Sequence, residues 1–430
     1  MHIHFIAIGG AGIGPLAQIA LKAGYSVSGS DIRDSAYIRY LKDHGVSDIE
    51  IGQDESLIAA VHERNPIDWV VYSSAVTMVD KSPPILEYCR SNAIKYTKRD
   101  EFINKFINDK NLQMIAVAGT HGKTTTTAML VWLFKGFNLP ISYLLPAKVN
   151  YGEMGEYAED SSYFIYEADE FDRNFLAFKP AISLISGVSY DHQEIYPTVD
   201  DYKQAFKDFI KGSTKTYIWD QDASYLAIDG DELFMLDHND ELLNKLTIVG
   251  LYNRYDALLA INAFISTTDV SLEQAINRMN NFPGLSRRME EIAPNLYSDY
   301  AHTPEKIVGA MSAASEIAAK SNQKLVIIYE PLTNRRQAYM AGEYKDCFKG
   351  ASKLYWLPSY LAREDPAQKI IKPEELIAKL TDPSIAEPAM PDSKLKELID
   401  MHLSQGDMVV AMAGGGGGSL DDWLREQYPA

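Results

Sequence analysis

The sequence predicts an α/β protein of three domains with mainly parallel sheets, and three observations lead there. The chain has 430 residues, more than one ordinary hydrophobic core accommodates. Its 46% hydrophobic and 23% charged residues are those of a globular chain rather than a disordered one. Short apolar runs alternate with helix-length stretches from one end to the other, the pattern of repeated β-α-β units.

Taken in order, "HIHFIAIG" at 2–9 reads as a buried parallel strand. Glycines follow at 9, 10, 12 and 14, then the helix "LAQIALKAG" and a second strand ending in "VSGSD". Another cycle ends with "WVVYSSAV" at 69–76, and the polar "INDKNLQ" at 107–113 marks a linker, so the first domain is expected over 1–109. "MIAVAG" opens the second domain, 110–293, with further apolar runs at 163–169, 181–188 and 216–219. From "LYSDYAH" at 296 a third set begins, with "KLVIIYE" at 324–330, "KLYWLP" at 353–358 and "DMVVAMAGG" at 407–415, giving a third domain over 294–430. There is no repeat at a solenoid period. The run "GGGGG" at 414–418, between a strand and the helix "LDDWLREQY", reads either as a close approach to a ligand or as a loose connection.

Charge and composition remove several function classes. A formal net charge of -18, with no basic stripe, opposes binding to a nucleic-acid backbone. No apolar stretch reaches the roughly 20 residues that cross a bilayer. The start "MHIHFIAIGGAG" has neither a basic leader nor a cleavage site, so a cytoplasmic protein is expected. Two cysteines, Cys89 and Cys347, leave no room for a disulfide framework or a cysteine zinc site and read as plain half-buried thiols.

The chemistry is carried by loops at strand ends. "GTHGKTT" from Gly119 lies between a strand and a helix, where free N–H groups and the helix dipole favour phosphate. In such a P-loop Lys123 reaches the β and γ phosphates and the Thr124 hydroxyl ligates magnesium. The usual first glycine would fall at Val117; Gly119 makes a shorter arch. Gly119, Thr120, His121, Gly122, Lys123, Thr124 and Thr125 are therefore candidate nucleotide contacts, while Thr126 and Thr127 read as helix-face residues. The earlier glycine turn, with Asp31 about 20 residues on, is similar to a Rossmann-type dinucleotide fingerprint whose third glycine would fall at Pro15. It predicts a phosphate-bearing ligand, against the alternative of a purely structural turn. "YEADEFD" sets Glu167, Asp169, Glu170 and Asp172 at one strand end, and "SYDHQE" sets Asp191, His192 and Glu194 at another. Beside a phosphate loop, such groups suit magnesium binding or the positioning of a nucleophile. Arg287 and Arg288 read either as a clamp on a γ phosphate or as a surface ion pair with Glu290 or Glu291.

The order of a glycine turn, "SGSD", "SSAV", "GTHGKTTTT", "EADE", "DH", "RR" and "DYAHTP" resembles the Mur ligase family of peptidoglycan synthesis over nearly the whole chain, most closely its alanine-adding branch. The resemblance implies a Rossmann-like N-terminal domain for a UDP-sugar, a P-loop ATPase-type central domain, and a Rossmann-like C-terminal domain for the amino acid. It implies ATP and Mg2+ as cofactors, UDP-N-acetylmuramate and L-alanine as substrates, an acyl phosphate on the way to the amide, and a monomer or homodimer. Position by position, Gly9, Gly10 and Gly12 would cradle the diphosphate, Ser30 and Asp31 would meet the uridine end, and Ser73 and Ser74 would line the sugar-nucleotide site. Lys123, His192 and Arg288 would be catalytic. Thr124, Glu167 and His192 would hold the metal. Asn253 would lie near adenine, Arg288 on the γ phosphate and Asp299 at the ribose, while His302 and Arg363 would surround the amino acid.

The chain departs from the family pattern in places. It has Tyr252, Asn253 and Asp256 where a His-Asn pair and a second asparagine are usual, Gly187 in place of an asparagine, and "EPLTNRR" and "GGGGG" in the third domain. Lys207 reads as a solvated lysine, with a carbamylated metal-bridging lysine as the alternative. The other readings left open are a ligase that joins a ready-made peptide to the same sugar nucleotide, a nicotinamide-dependent dehydrogenase using the first turn, and a non-catalytic nucleotide-binding regulator.

Overall fold

The computed structural model describes residues 1–193, 195–359, 361, 368–414 and 418–429. Among them are three sheets flanked by helices, the mixed α/β architecture expected. The chain divides into two compact units, one comprising Met1–Leu246 with Tyr255–Phe282, the other Thr247–Arg254 with the chain from Pro283 onward.

The first unit holds two sheets. The first sheet comprises β1 (His2–Ile6), β2 (Ser26–Asp31), β3 (Ile49–Ile51), β4 (Trp69–Tyr72) and β5 (Lys95–Lys98), all parallel in the order β3-β2-β1-β4-β5. The second comprises β6 (Gln113–Ala118), β7 (Ser142–Leu144), β8 (Gly155–Glu156), β9 (Tyr163–Glu167), β10 (Ile182–Ile185), β11 (Lys215–Trp219) and β12 (Leu233–Leu236), in the order β12-β11-β10-β6-β9-β7-β8. It is parallel except for the pairing of β7 with β8. Strands β1 and β10 are buried at every position because helices cover both faces of a parallel sheet, so they read as unbroken apolar runs rather than alternating ones. One apolar core runs through both sheets, from Ile3, Phe5 and Trp69 through Phe102 and Phe106 to Phe164 and Ile218.

Polar contacts add to this join. Lys22 pairs with Glu153 at 3.0 Å and Glu156 at 2.9 Å, and Lys98 at the end of β5 pairs with Asp172 beyond β9 at 2.9 Å. "WVVYSSAV" is a strand only as far as Tyr72. Ser73 leaves the sheet and caps the helix Ser74–Val79, its Oγ accepting the Ala75 N–H at 3.1 Å.

Two histidines lie within β1, where an unpaired polar group is costly. The parallel register sets Ser28 opposite His4, and the pairs join into a line. His2 Nε2 lies 2.8 Å from Ser28 Oγ, His4 Nδ1 lies 2.9 Å from the same oxygen, and His4 Nε2 lies 3.1 Å from Ser30 Oγ. Burial, and then the neighbouring His2, drive His4 down to about 3. A histidine depressed in the folded state contributes stability that is present above its unfolded value near 6.5 and is lost as pH falls through that value toward 3. The loss is on the order of 4 kcal/mol by the acid end. A His4→Leu variant is therefore expected to carry a constant cost but a flatter decline in melting temperature from pH 6.5 downward. Parallel declines in the two proteins would contradict the assignment.

The second unit holds the third sheet, with β13 (Glu290–Ala293), β14 (Leu296–Asp299), β15 (Leu325–Glu330), β16 (Lys353–Trp356), β17 (Ala386–Pro388) and β18 (Met408–Ala413) in the order β13-β14-β18-β15-β16-β17. It is parallel apart from the β13–β14 hairpin. Its faces carry separate cores, one around Tyr329, Tyr344 and Trp356 beneath the helix Pro304–Lys320, the other around Val409, Leu395 and Leu424. Cys89 and Cys347 are buried free thiols rather than half-buried ones, because both sit on core faces. Among the described residues, no helix is long and apolar enough to cross a membrane.

Candidate active site

Strand β6 runs into the arch Gly119–Gly122 and then into the helix Lys123–Gly136. The arch needs its glycines. Gly119 has φ +143°, and a methyl group there would stand 2.6 Å from Ser186 Oγ and 2.9 Å from the Gly187 carbonyl. Gly122, at φ +75°, is the N-cap, and a side chain on it would collide with the Asp256 carboxylate. No side chain caps this helix, so its first N–H groups are presented in the manner that receives an anion. Thr120 and His121 fasten the arch to the segment after β10. Thr120 Oγ1 donates to the Ser189 carbonyl at 2.8 Å and lies 2.7 Å from the Tyr202 hydroxyl, and His121 Nε2 lies 2.7 Å from Ser189 Oγ.

Lys123 is the electrostatic centre. Its Nζ donates to the Gly119 carbonyl and to Glu170 Oε2, both at 2.6 Å, with Asp169 at 3.8 Å. Burial alone would lower the ammonium, but the carboxylates of Glu170, Asp169 and Glu167 outweigh it and hold the group above the ordinary lysine value. In turn, burial would raise Asp169, and Lys123 holds it below the usual carboxylate range. Glu170 is 1% exposed. One of its oxygens takes Lys123, and the other, without a hydrogen bond, lies 3.7 Å from His192 Nε2. Beside them Thr124 Oγ1 donates to Glu167 Oε2 at 2.8 Å. His192 is held at φ +56° with its ring against Phe171.

Among the described residues, no three His, Cys, Asp or Glu side chains converge as a ready-made metal cage. The hydroxyl of Thr124 beside the Glu167 carboxylate, next to a helix N-terminus, is nonetheless a hard-oxygen donor pair. It suits Mg2+, which is held by one or two protein groups together with phosphate oxygens and water. Glu194 lies outside the described residues, and Lys207 is half-buried on the helix Val199–Lys211.

At the end of the first sheet, the Gly9 N–H donates to Asp31 Oδ2 at 2.9 Å and the Gly10 N–H to the Ala7 carbonyl at 3.0 Å. Asp31 thus braces the glycine turn, and the turn's N–H groups at Gly9 and Gly10 are engaged within the protein. Ser30 is fully buried under His4. Ser74 and Lys98 both hold the Asp172 carboxylate, keeping it below its ordinary value against the opposing effect of burial. The predicted sugar-nucleotide residue Ser74 is therefore tied directly to the "EADEFD" stretch.

In the second unit, Asp299 accepts N–H groups from Met289 at 2.9 Å and Ala301 at 2.8 Å. Burial nevertheless raises its carboxyl, against the pull of Arg288. The guanidinium groups of Arg287 and Arg288 both lie over the Tyr300 ring. Arg287 is occupied structurally, donating to the Ala413 carbonyl at 2.8 Å beside Asp421, and Glu290 takes Arg425 at 2.6 Å. Asn253 Nδ2 donates to the Val249 carbonyl at 2.8 Å. His302 Nδ1 lies 2.7 Å from the Tyr300 carbonyl, and burial holds the imidazole well below its usual value. Arg363 and positions 415–417 of the glycine run lie outside the described residues.

The structure thus brings Lys123 and His192 to Glu170, a residue to which sequence reasoning gave no individual role, and pairs Thr124 with Glu167. Asp256 beneath Gly122, Ser189 beneath His121 and Arg99 beside Gly12 were not foreseen as site residues either. Glu170 had a signal in its place within "EADE"; the other three act over separations that leave no local trace.

With this geometry in place, the comparisons assign the class. The Mur ligase family, catalytic domain, matches residues 2–111, and the Mur ligase middle domain matches residues 117–232, together more than half of the chain. The chain belongs to the Mur ligase family. Among its relatives, a UDP-N-acetylmuramate–L-alanine ligase of Rickettsia felis is 27% identical over 99% of this chain and 95% of its own length. Among solved structures, a UDP-N-acetylmuramate–alanine ligase from Thermotoga maritima shares the fold with a TM-score of 0.74 at 22% identity, covering 97% of this chain and 96% of that one. A murein peptide ligase from Psychrobacter arcticus does so with a TM-score of 0.65 at 23% identity, over 100% and 99%.

Proposed function

We propose that the protein is a cytoplasmic ATP-dependent carboxylate–amine ligase that joins L-alanine to UDP-N-acetylmuramate. The observation that carries the reading is the cluster of Lys123, Thr124, Glu167 and Glu170 at the foot of a glycine-capped helix, in a chain similar along almost its whole length to ligases of that name. In this reading residues 1–109 take the UDP-sugar, 110–293 the ATP, and 294–430 the amino acid.

The sugar's carboxylate attacks the γ phosphorus of ATP and ADP leaves. The amine of the amino acid then attacks the acyl carbon of the resulting acyl phosphate and inorganic phosphate leaves, forming the amide. Lys123 and the arch N–H groups bind and orient the triphosphate and stabilise the charge that develops on its terminal group. Thr124, Glu167 and His192 would hold Mg2+, which would supply further charge neutralisation at the phosphates. Arg288 meets the γ phosphate, Asn253 the adenine and Asp299 the ribose. Gly9, Gly10, Gly12, Ser30, Asp31, Ser73 and Ser74 form the sugar-nucleotide side, and His302 with Arg363 the amino-acid side.

The test is a panel of amino acids and an L-alanyl tripeptide offered with UDP-N-acetylmuramate and ATP, followed by ADP formation. L-alanine is expected to give the fastest turnover. Turnover with the tripeptide alone would reassign the protein as a peptide-joining ligase, and ATP consumption with none of them would sink the proposal.

A further inference from the structure

Arg99 opens the helix Arg99–Asp109 directly after β5. It reaches the glycine turn of β1, where Nη1 occupies the space that a side chain on Gly12 would need. Tyr166, Asp169, Asp100 and Glu167 act on the guanidinium through space. The neighbouring cations are differently employed, for Lys98 is paired with Asp172 at 2.9 Å and Lys123 with Glu170 at 2.6 Å. The end of β9 is thus rich in carboxylates, and a phosphate brought to the adjacent glycine turn would be repelled unless a cation stood between. With the N–H groups of Gly9 and Gly10 engaged inside the turn, the stretch at Gly12 is where an incoming anion finds its partner.

We propose that Arg99 is a substrate-binding residue whose guanidinium grips the diphosphate of the sugar nucleotide against Gly12. The inference rests on the ligase reading and deepens it. The planar fork matches two phosphate oxygens at once, which a lysine ammonium does not. It stands against the glycine turn and within electrostatic reach of Glu167 and Asp169, so a diphosphate seated on it lies near the acidic stretch that holds Lys123.

The experiment measures binding of UDP-N-acetylmuramate, UDP-N-acetylglucosamine and a non-hydrolysable ATP analogue to the full-length wild type, Arg99→Met and Arg99→Lys. UDP-N-acetylglucosamine carries the diphosphate without the lactyl carboxylate. Arg99→Met is expected to weaken both sugar nucleotides equally, by about 10- to 100-fold as for a lost charge-assisted contact, with the ATP analogue unaffected and Arg99→Lys restoring part. Unchanged binding of UDP-N-acetylglucosamine, a loss confined to UDP-N-acetylmuramate, or a parallel loss of the ATP analogue would overturn the assignment. If Arg99→Met does not fold, Arg99→Lys decides: wild-type affinity for UDP-N-acetylglucosamine overturns it, and weakening by several-fold supports it. A wild type that binds neither sugar nucleotide removes the ligase reading and this one together. A wild type that binds both, with Arg99 indifferent, removes only this one.

Discussion

Replacing Lys123 with alanine is expected to reduce ADP formation at least ~1,000-fold, about 4 kcal/mol of transition-state stabilisation. The affinity for UDP-N-acetylmuramate should stay within about twofold, since the loss is confined to the phosphate end. The ammonium is the charge that the arch holds ready, fixed by the Gly119 carbonyl and by Glu170 at 2.6 Å each, and kept protonated by three carboxylates. Steady-state kinetics with both substrates varied, and calorimetry with the sugar nucleotide, check the two halves. Near-wild-type turnover would mean that the triphosphate lies elsewhere. The same substitution strands Glu170 without its partner, so a Lys123→Met, Glu170→Gln double variant is the better inactive control, uncharged at both positions.

Glu170→Ala is expected to damage the fold as well as the site. Breaking a buried ion pair costs on the order of 3–5 kcal/mol, because the remaining charge is left uncompensated. The upper part of that range is not expected here. Lys123 still has Asp169 at 3.8 Å to turn to, and that shift would draw the ammonium off the line of the arch. A lowered urea midpoint together with a raised KM for ATP is the anticipated signature. A double-mutant cycle between the two positions should show coupling well above ~0.5 kcal/mol, the level at which independent sites add. Additive losses would show that Glu170 supports the core without positioning the lysine.

How much of this was legible in the sequence depends on how far apart the cooperating residues lie. The arch could be read directly because strand, glycines, lysine and helix are contiguous, and a φ of +75° at Gly122 is what a glycine before a helix permits. The alternation of apolar runs gave all three sheets, and the strand at 69–76 was overextended only because Ser73 prefers capping to pairing. The role of Asp31 was less visible. Its carboxylate is occupied by Gly9, a contact that spans 22 residues and depends on β1 and β2 being neighbours. The line from His2 to Ser30 is of the same kind. "HIHFI" shows two imidazoles in a buried strand, but only the register reveals the serines that satisfy them. Arg99 and Glu170 are side chains whose meaning arises from what the fold lays against them, and no periodicity marks such residues.

The Asp172 carboxylate, shared between Lys98 and Ser74, has an effect beyond linking the end of β5 to the stretch after β9. If the sugar nucleotide engages the Ser73–Ser74 end, it perturbs the same acidic stretch that orients Lys123. Any tightening or slackening it imposes on ATP must then be returned in equal measure by ATP upon the sugar nucleotide, since linkage between two equilibria runs both ways. On the proposed assignment, this aspartate is where coupling between the two substrates would pass, and its replacement would uncouple them.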